Sequence, residues 1–377
     1  MRLRASLHTV LSLNSVLALN TVLTLKIALA AFALLWAGRV AAAALPESVR
    51  IAAITSYVDG KPMASGMPNV VVSQGWLEAE LKKRGVRLEW VPVSGANVGP
   101  LINEAFAAHR VDFAAYGDLP GIILNAAGVS THVVVPSGRG SDTFLLVSAN
   151  STVKSIRDLK GKRIAVHRGR PWELPFVKLI DANGLSYSDF KIYNANPQTG
   201  AAALAAGAVD AIFVPGGYQL EDKGIGKILW SSKGAPLEWK YRAELWGSDE
   251  FLKQYPELAQ IVATAYVKAA YWISQEQNRD EVIRRATLAG TPESVVRREY
   301  DDATLAWKER WSPLADSYLI NHYRDTVQFA LDKKLIRQSV DVDNLIDTRF
   351  LDAALKALNL EHYWSARSGA GARLSSR

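Results

Sequence analysis

Val111-Asp112-Phe113-Ala114-Ala115-Tyr116-Gly117-Asp118-Leu119-Pro120 decides the fold. Residues 111–116 read as a strand, Gly117-Asp118 as a turn, and 120–127 as a short helix, with a further strand over 131–135. The same alternation runs back toward the N-terminus. Residues 49–55 form a β-rich run, and Asn69 caps a helix predicted over 70–84, which Gly85 stops. Residues 87–93 read as a strand and 98–109 as a helix with Gly99-Pro100 in its first turn. Strand–helix alternation of this kind implies an α/β layer architecture with a largely parallel sheet.

A turn-rich interruption, Pro136-Ser137-Gly138-Arg139-Gly140-Ser141-Asp142, precedes a second unit. Its predicted strands cover 143–147, 163–166, 190–193, 211–214 and 226–230, with a capped turn over 155–159 and helices over 172–183 and 199–206. From Asp249 the pattern is almost purely helical, over 256–275, 280–289, 292–304, 315–334 and 345–358. The expected organisation is two lobes, each a mainly parallel sheet flanked by helices. Residues 45–138 and 235–364 would build the first lobe, 139–234 the second, and 365–377 a disordered tail. A cleft between two lobes is a usual place for a small ligand.

The chain has 377 residues and no cysteine, which excludes a disulfide scaffold, a thiolate zinc site and a cysteine nucleophile. Its net charge is +7, but residues 1–44 hold Arg2, Arg4, Lys26 and Arg39 without an acid, leaving 40 basic against 37 acidic residues in the body. No basic run occurs there, so nucleic acid is not an expected partner. Residues 1–44 read as a secretory signal: Lys26 precedes the apolar run 27–36, and Ala42-Ala43-Ala44 fits a cleavage site before Leu45. An uncleaved anchor is the alternative, but only 12 uncharged residues separate Lys26 from Arg39, short of the ~20 that a spanning helix needs. A bacterial periplasm is the expected compartment.

An enzyme reading finds no G-x-S-x-G elbow, Walker loop or H-E-x-x-H, and the six histidines share no metal-ligand spacing. No catalytic set, metal site or cofactor is therefore expected. The strand ends carry more information, since ligands of open α/β sheets bind there. They read Ser56-Tyr57, Ser94-Gly95-Ala96-Asn97, Gly117-Asp118-Leu119-Pro120 and His167-Arg168-Gly169-Arg170-Pro171-Trp172. In the last, Pro171 suits the first position of a helix. Arg168 and Arg170 beside free helix N–H groups would then make an anion site; a solvated basic turn is the competing reading. Tyr57, Trp172 and Tyr218 suit an aromatic wall or, equally, a core.

Three segments bear a resemblance. They are Asp112 to Pro120, similar to "D-F-G-x-x-G-D-x-P"; Ile156-Arg157-Asp158-Leu159-Lys160-Gly161-Lys162-Arg163-Ile164-Ala165-Val166, similar to "S-x-x-D-L-K-G-K-x-V-A-V"; and Ala205-Ala206-Gly207-Ala208-Val209-Asp210-Ala211, similar to "G-x-V-D-A". In order and at these spacings they resemble the periplasmic solute-binding proteins of the nitrate, sulfonate and taurine class of ABC importers, over about residues 49–358. The resemblance implies a two-lobed Venus flytrap with crossovers near 136–142 and 231–240. It implies a small anionic ligand, a membrane permease with its ATPase as partner, and a monomer. It carries ligand contacts onto Tyr57, Ser94, Gly95, Gly117, Asp118, Arg168 and Gly169. Two departures, Val214-Pro215-Gly216-Gly217-Tyr218 in place of a "W-D-P" segment and Arg170-Pro171-Trp172 in place of small residues, point away from a plain short alkanesulfonate and allow a larger, aromatic anion. The rival is a pyrimidine-precursor binder or synthase similar to the fungal thiamine enzymes. Their cysteine cluster is absent here.

Overall fold

Two mixed sheets carry the fold. The computed structural model describes residues 44–58, 61–288, 290–302 and 304–369, and the side chains of 56–62 are outside that description. The expected signal over 1–44 lies, but for its last residue, outside the described residues.

The first sheet holds β1 (Ser48–Val58), β2 (Lys61–Ala64), β3 (Arg87–Val93), β4 (Phe113–Gly117), β5 (Thr131–Pro136) and β11 (Ala243–Ser248), in the order β2-β1-β4-β11-β5 with β3 also on β1. The second holds β6 (Phe144–Val147), β7 (Arg163–Val166), β8 (Lys191–Asn194), β9 (Ala211–Val214) and β10 (Lys227–Ser231), in the order β10-β6-β9-β7-β8. Each sheet has a parallel centre, β3-β1-β4 and β8-β7-β9, completed by antiparallel strands. On the first sheet the antiparallel strands are β2, β11 and β5, on the second β6 and β10. Pattern reading missed β11, because Arg242, Glu244 and Gly247 break its apolar run, although Glu244, Leu245 and Trp246 are fully buried. It missed β2 as well.

Helices α1 (Met67–Gln74), α2 (Trp76–Lys82), α3 (Val98–Ala107) and α4 (Asp118–Ala126) pack on the first sheet. The first two were expected as one helix; Gly75 in the left-handed region, φ 65°, divides them. The second sheet is covered by α5 (Glu173–Ala182), α6 (Pro197–Ala205) and α7 (Gly217–Asp222). The helical third supplies α8 (Asp249–Gln254), α9 (Pro256–Ser274), α10 (Arg279–Thr287), α11 (Glu293–Tyr300), α12 (Trp307–Arg310), α13 (Ser317–Asp332), α14 (Val342–Leu345) and α15 (Arg349–Ala357). Helix α9 is buried against β1, β5 and β11, so this third returns to the first sheet. No helix among the described residues is long and apolar enough to cross a membrane.

The aspartates of two signature segments do the same structural work in both sheets. Asp112 accepts the Arg50 backbone N–H at 2.7 Å and its guanidinium at 2.6 and 3.1 Å. Asp210 accepts the Arg163 backbone N–H at 2.8 Å and its guanidinium at 3.0 and 3.1 Å. Each bidentate clamp fixes the register where two parallel strands begin.

The chain passes between the sheets twice, over 137–143 and 232–242, and the two passages pair. Ser141 and Tyr241 exchange backbone hydrogen bonds of 2.8 and 3.1 Å. Gly140, at φ 98°, is needed there: a Cβ would stand 2.9 Å from the Tyr241 carbonyl oxygen. Buried ion pairs surround the passages. Lys240 binds Asp142 at 2.5 Å and Asp302 at 3.4 Å, Arg242 binds Glu244 at 2.7 Å, and Arg139 binds Asp316 at 2.7 Å. Residues 365–367, expected in a disordered tail, are held by the last of these networks. Arg139 donates to the Ser365 carbonyl at 3.0 Å and Arg367 N–H to Asp316 at 2.7 Å. The tail beyond 369 lies outside the described residues.

Candidate functional site

Helix α5 begins at Glu173 and not at Pro171, which sits in a turn. That shift of two residues changes the chemistry of the loop after β7. Glu173 is fully buried, and its carboxylate accepts the Gly169 N–H at 2.6 Å, the Tyr187 hydroxyl at 2.8 Å and Arg168 Nε at 3.4 Å. The Arg168 guanidinium also lies 5.9 Å from the centre of the Tyr187 ring. The place expected for a ligand anion, at Arg168 and Gly169, is filled by the chain's own carboxylate.

The other residues of that expectation close the two sheets on each other. A Cβ on Gly117, at the end of β4, would stand 2.1 Å from Pro171 Cγ, so the proline ring lies directly on the glycine. Arg170, 4% exposed, reaches α3, where a Cβ on Gly99 would stand 2.1 Å from its Nη1. Desolvation, with the nearby Arg170 charge, pushes the His167 imidazole down to about 4. Asp118 is buried and paired with His322 Nε2 at 2.5 Å, while its other oxygen accepts the Leu119 N–H at 2.6 Å. Burial lowers the His322 pKa despite that carboxylate. In this conformation Gly117 is covered by Pro171, and Asp118 is buried and engaged with His322 and the Leu119 N–H.

Ser94 and Gly95 are exposed at the end of β3. The Tyr57 side chain is outside the described residues. Trp172 meets Tyr241 edge-on at 5.9 Å, with a buried indole N–H that has no partner. Tyr218 packs on Phe144 at 4.9 Å and under Arg298 at 4.1 Å.

Open space lies on the other side of the paired passages. One cavity of about 280 Å³ runs from Ile54 and Ala115 at the ends of β1 and β4, past Ser137, Ser141 and Tyr241, to Trp311. A second, of about 290 Å³, continues under Gly216 and Gln219 of the second sheet's side. Ser141, Tyr241, Tyr300 and Arg310 line both. Of the nine expected site residues whose side chains are described, none is in the lining of these two cavities.

Arg310 is the residue that pattern reading missed. It ends α12, is 6% exposed, and lines the first cavity together with Tyr300 and Trp311, its guanidinium 5.8 Å from the centre of the Tyr300 ring. Its guanidinium is weakly engaged: Nη2 makes bonds of 3.4 Å to the Tyr300 carbonyl and to Asp302, and Nε has no partner. Asp302 is shared with Lys240. A buried guanidinium with unused donors facing a cavity suits an anion. The signal available in the sequence was slight, an arginine beside Trp311 and three residues after Trp307.

Carboxylates stand on the opposite walls. Glu244, in the first cavity, is fully buried, and burial pushes its pKa up to about 7 against the pull of Arg242. Glu299, in the second, is pushed up to about 7 by burial and by Asp142, and its Oε1 has no partner. Among the described residues the cavities therefore offer the buried Arg310 guanidinium beside aromatic side chains, with two acids whose pKa burial raises to about 7.

A family model described as NMT1/THI5 like matches residues 81–279, more than half of the sequence. The chain belongs to this family. A crystal structure of a protein named as the periplasmic sulfonate-binding protein SsuA of a sulfonate ABC transporter, from Methylobacillus flagellatus KT, is 48% identical, with a TM-score of 0.77 over 85% of this chain and 97% of that one. A Bacillus subtilis protein named as aliphatic sulfonates-binding is 27% identical over 76% of this chain and 84% of its own length. The desulfurization enzyme DSZB shares the fold at 16% identity, with a TM-score of 0.63 over 83% of this chain and all of that one. The two-lobed fold of periplasmic binding proteins expected from the sequence is therefore the fold of this chain.

Proposed function

We propose that this chain is the periplasmic solute-binding component of an ABC importer and that it captures a small sulfonate in the cleft, with the sulfonate head on Arg310. The observation that carries this reading is the Arg310 guanidinium, buried, aimed into both cavities and short of hydrogen-bond partners. The 48% identity with a protein named as sulfonate-binding supports the choice of anion. Tyr241, Tyr300 and Trp311 supply flat apolar faces for the rest of the solute.

In this reading the protein is exported, cleaved before Leu45, and works as a monomer. Residues 45–138 and 235–364 form one lobe and 139–234 the other. The lobes close on the solute, and the closed form is what a permease with its ATPase recognises. The solute is released unchanged. Pro171 on Gly117 and Arg170 on Gly99 are the contacts made on closure.

A thermal-shift screen with alkanesulfonates, aryl sulfonates, carboxylates of matched size and pyrimidines tests it. A ligand at a hundredfold its Kd adds about 2.7 kcal/mol. Sulfonates are expected to raise Tm and matched carboxylates to do so less. Stabilisation by pyrimidines alone would favour the thiamine-precursor reading, and recovery of chemically altered solute after incubation would make the protein an enzyme.

A further inference from the structure

The Arg310 cavity has an apolar neighbour that the head-group reading leaves unused. A chamber of about 290 Å³ shares Ser65, Gly66, Tyr300 and Trp311 with it. Beyond those four, its wall is largely hydrocarbon: Val70 of α1, Ile273 near the end of α9, and Val282 and Ala286 of α10. Val70, Ile273 and Val282 are 3%, 1% and 7% exposed. The charged group in the wall, Arg285, is paired with Glu281 at 2.8 Å, although its Nε makes no aligned hydrogen bond. Asn69 donates its amide to the Ala64 carbonyl at 3.1 Å and leaves only Oδ1 unpartnered. Native interiors close up gaps much smaller than this, and an apolar space of such size next to a convergent polar group is how small-molecule sites are built.

We infer that this chamber receives the apolar body of the solute, so that the protein selects sulfonates carrying a chain of several carbons over one- and two-carbon sulfonates. The inference rests on the proposed anchoring of the sulfonate by Arg310. Head and body then meet different walls: the head is fixed by charge, and the length of the body is measured by Val70, Ile273, Val282 and Ala286. Ala286 sets the free volume on the α10 side, because any larger side chain there enters the chamber.

Calorimetric titration of the full mature protein with linear alkanesulfonates from ethane to octane tests this. Each methylene that enters the chamber is expected to tighten binding about fourfold. Ala286→Phe fills the chamber and is expected to flatten that climb while leaving ethanesulfonate affinity within about twofold. Ala286→Leu, a smaller insertion, should stop the climb at a longer chain and serves if the phenylalanine variant fails to fold. Affinity that does not rise with length in the wild type, or a climb unchanged in a folded Ala286→Phe protein, overturns the inference while the Arg310 reading stands. Failure of every chain length to bind overturns both.

Discussion

Arg310→Met removes the one buried cation that, among the described residues, lines both cavities, while keeping much of the side chain's apolar length. Two bonds to the protein are lost, both long at 3.4 Å, and Asp302 keeps Lys240 at 3.4 Å as a partner. Deleting one member of a buried ion pair ordinarily costs about 3–5 kcal/mol because the other is stranded. Here Asp302 is not stranded, so the loss of stability should fall well below that range. The backbone carbonyl of residue 310, which accepts Arg139 N–H at 2.8 Å, is untouched. Binding should suffer more. A hydrogen bond to a charged group contributes about 1.5–3 kcal/mol, and one or two of these to a sulfonate correspond to a roughly ten- to ten-thousandfold loss of affinity. Arg310→Lys should recover only part of it, since an ammonium cannot present the planar fork. The assay is calorimetric titration with a sulfonate found in the screen, with thermal melts as the control for folding. Arg168→Ala is the contrast: its side chain lies beside Glu173 and is in the lining of neither cavity, so affinity should hold. Equal binding by wild type and folded Arg310→Met would remove Arg310 from the site, and with it the argument for an anion in this cleft.

Three further outcomes follow from the geometry. Gly117→Ala forces a methyl to 2.1 Å from the Pro171 ring and should keep both sheets folded while weakening binding, whereas Gly99→Ala meets the movable end of Arg170 and should matter less; melts and titrations of both variants compare them. Glu299, pushed up to about 7, loses its charge as pH falls from 8 to 6, so sulfonate affinity should rise by up to about tenfold over that interval; because an acid with a raised folded pKa holds its proton more firmly in the folded state, its contribution to stability is largest below about 4.5 and is lost as pH rises through about 7, and Glu299→Gln should flatten both profiles. Asp112→Ala should lower stability more than Asp210→Ala, since the Asp112 side chain is 7% exposed and the Asp210 side chain 33%; denaturant midpoints would show the order, and the reverse order would mean that the two clamps are not equivalent.

Strand and helix alternation was legible because the central strands β4, β7 and β9 are short apolar runs, FAAYG, RIAV and AIFV, set between turn residues and helical patterns. The strands 87–93, 163–166 and 211–214 lie as expected. What escaped was decided by partners far away in the sequence. Strand β11 tolerates Glu244 only because Arg242 and the Ser137 N–H answer its charge. The loop after β7 reads as an anion site until Glu173 is seen to fold back onto the Gly169 N–H. Likewise, Gly117 was read as a ligand contact, and in this structure the Pro171 ring lies on it. Arg310 carries no local sign of its role; the helical third brings it to the cleft, through contacts that no spacing rule describes.

Ser141 and Tyr241 belong to the two strands of chain that join the lobes, and they also line both cavities. The fulcrum and the seat are then one place. An object wedged at a fulcrum acts with a long lever arm: a displacement of a fraction of an ångström at Tyr241 becomes several ångströms at the outer rims of the sheets. The solute needs only to fit beside the axis for its presence to be legible at a distance, on surfaces it never touches. In the function proposed above, a permease would sense occupancy as an angle, and solutes of different bulk would be reported as different angles.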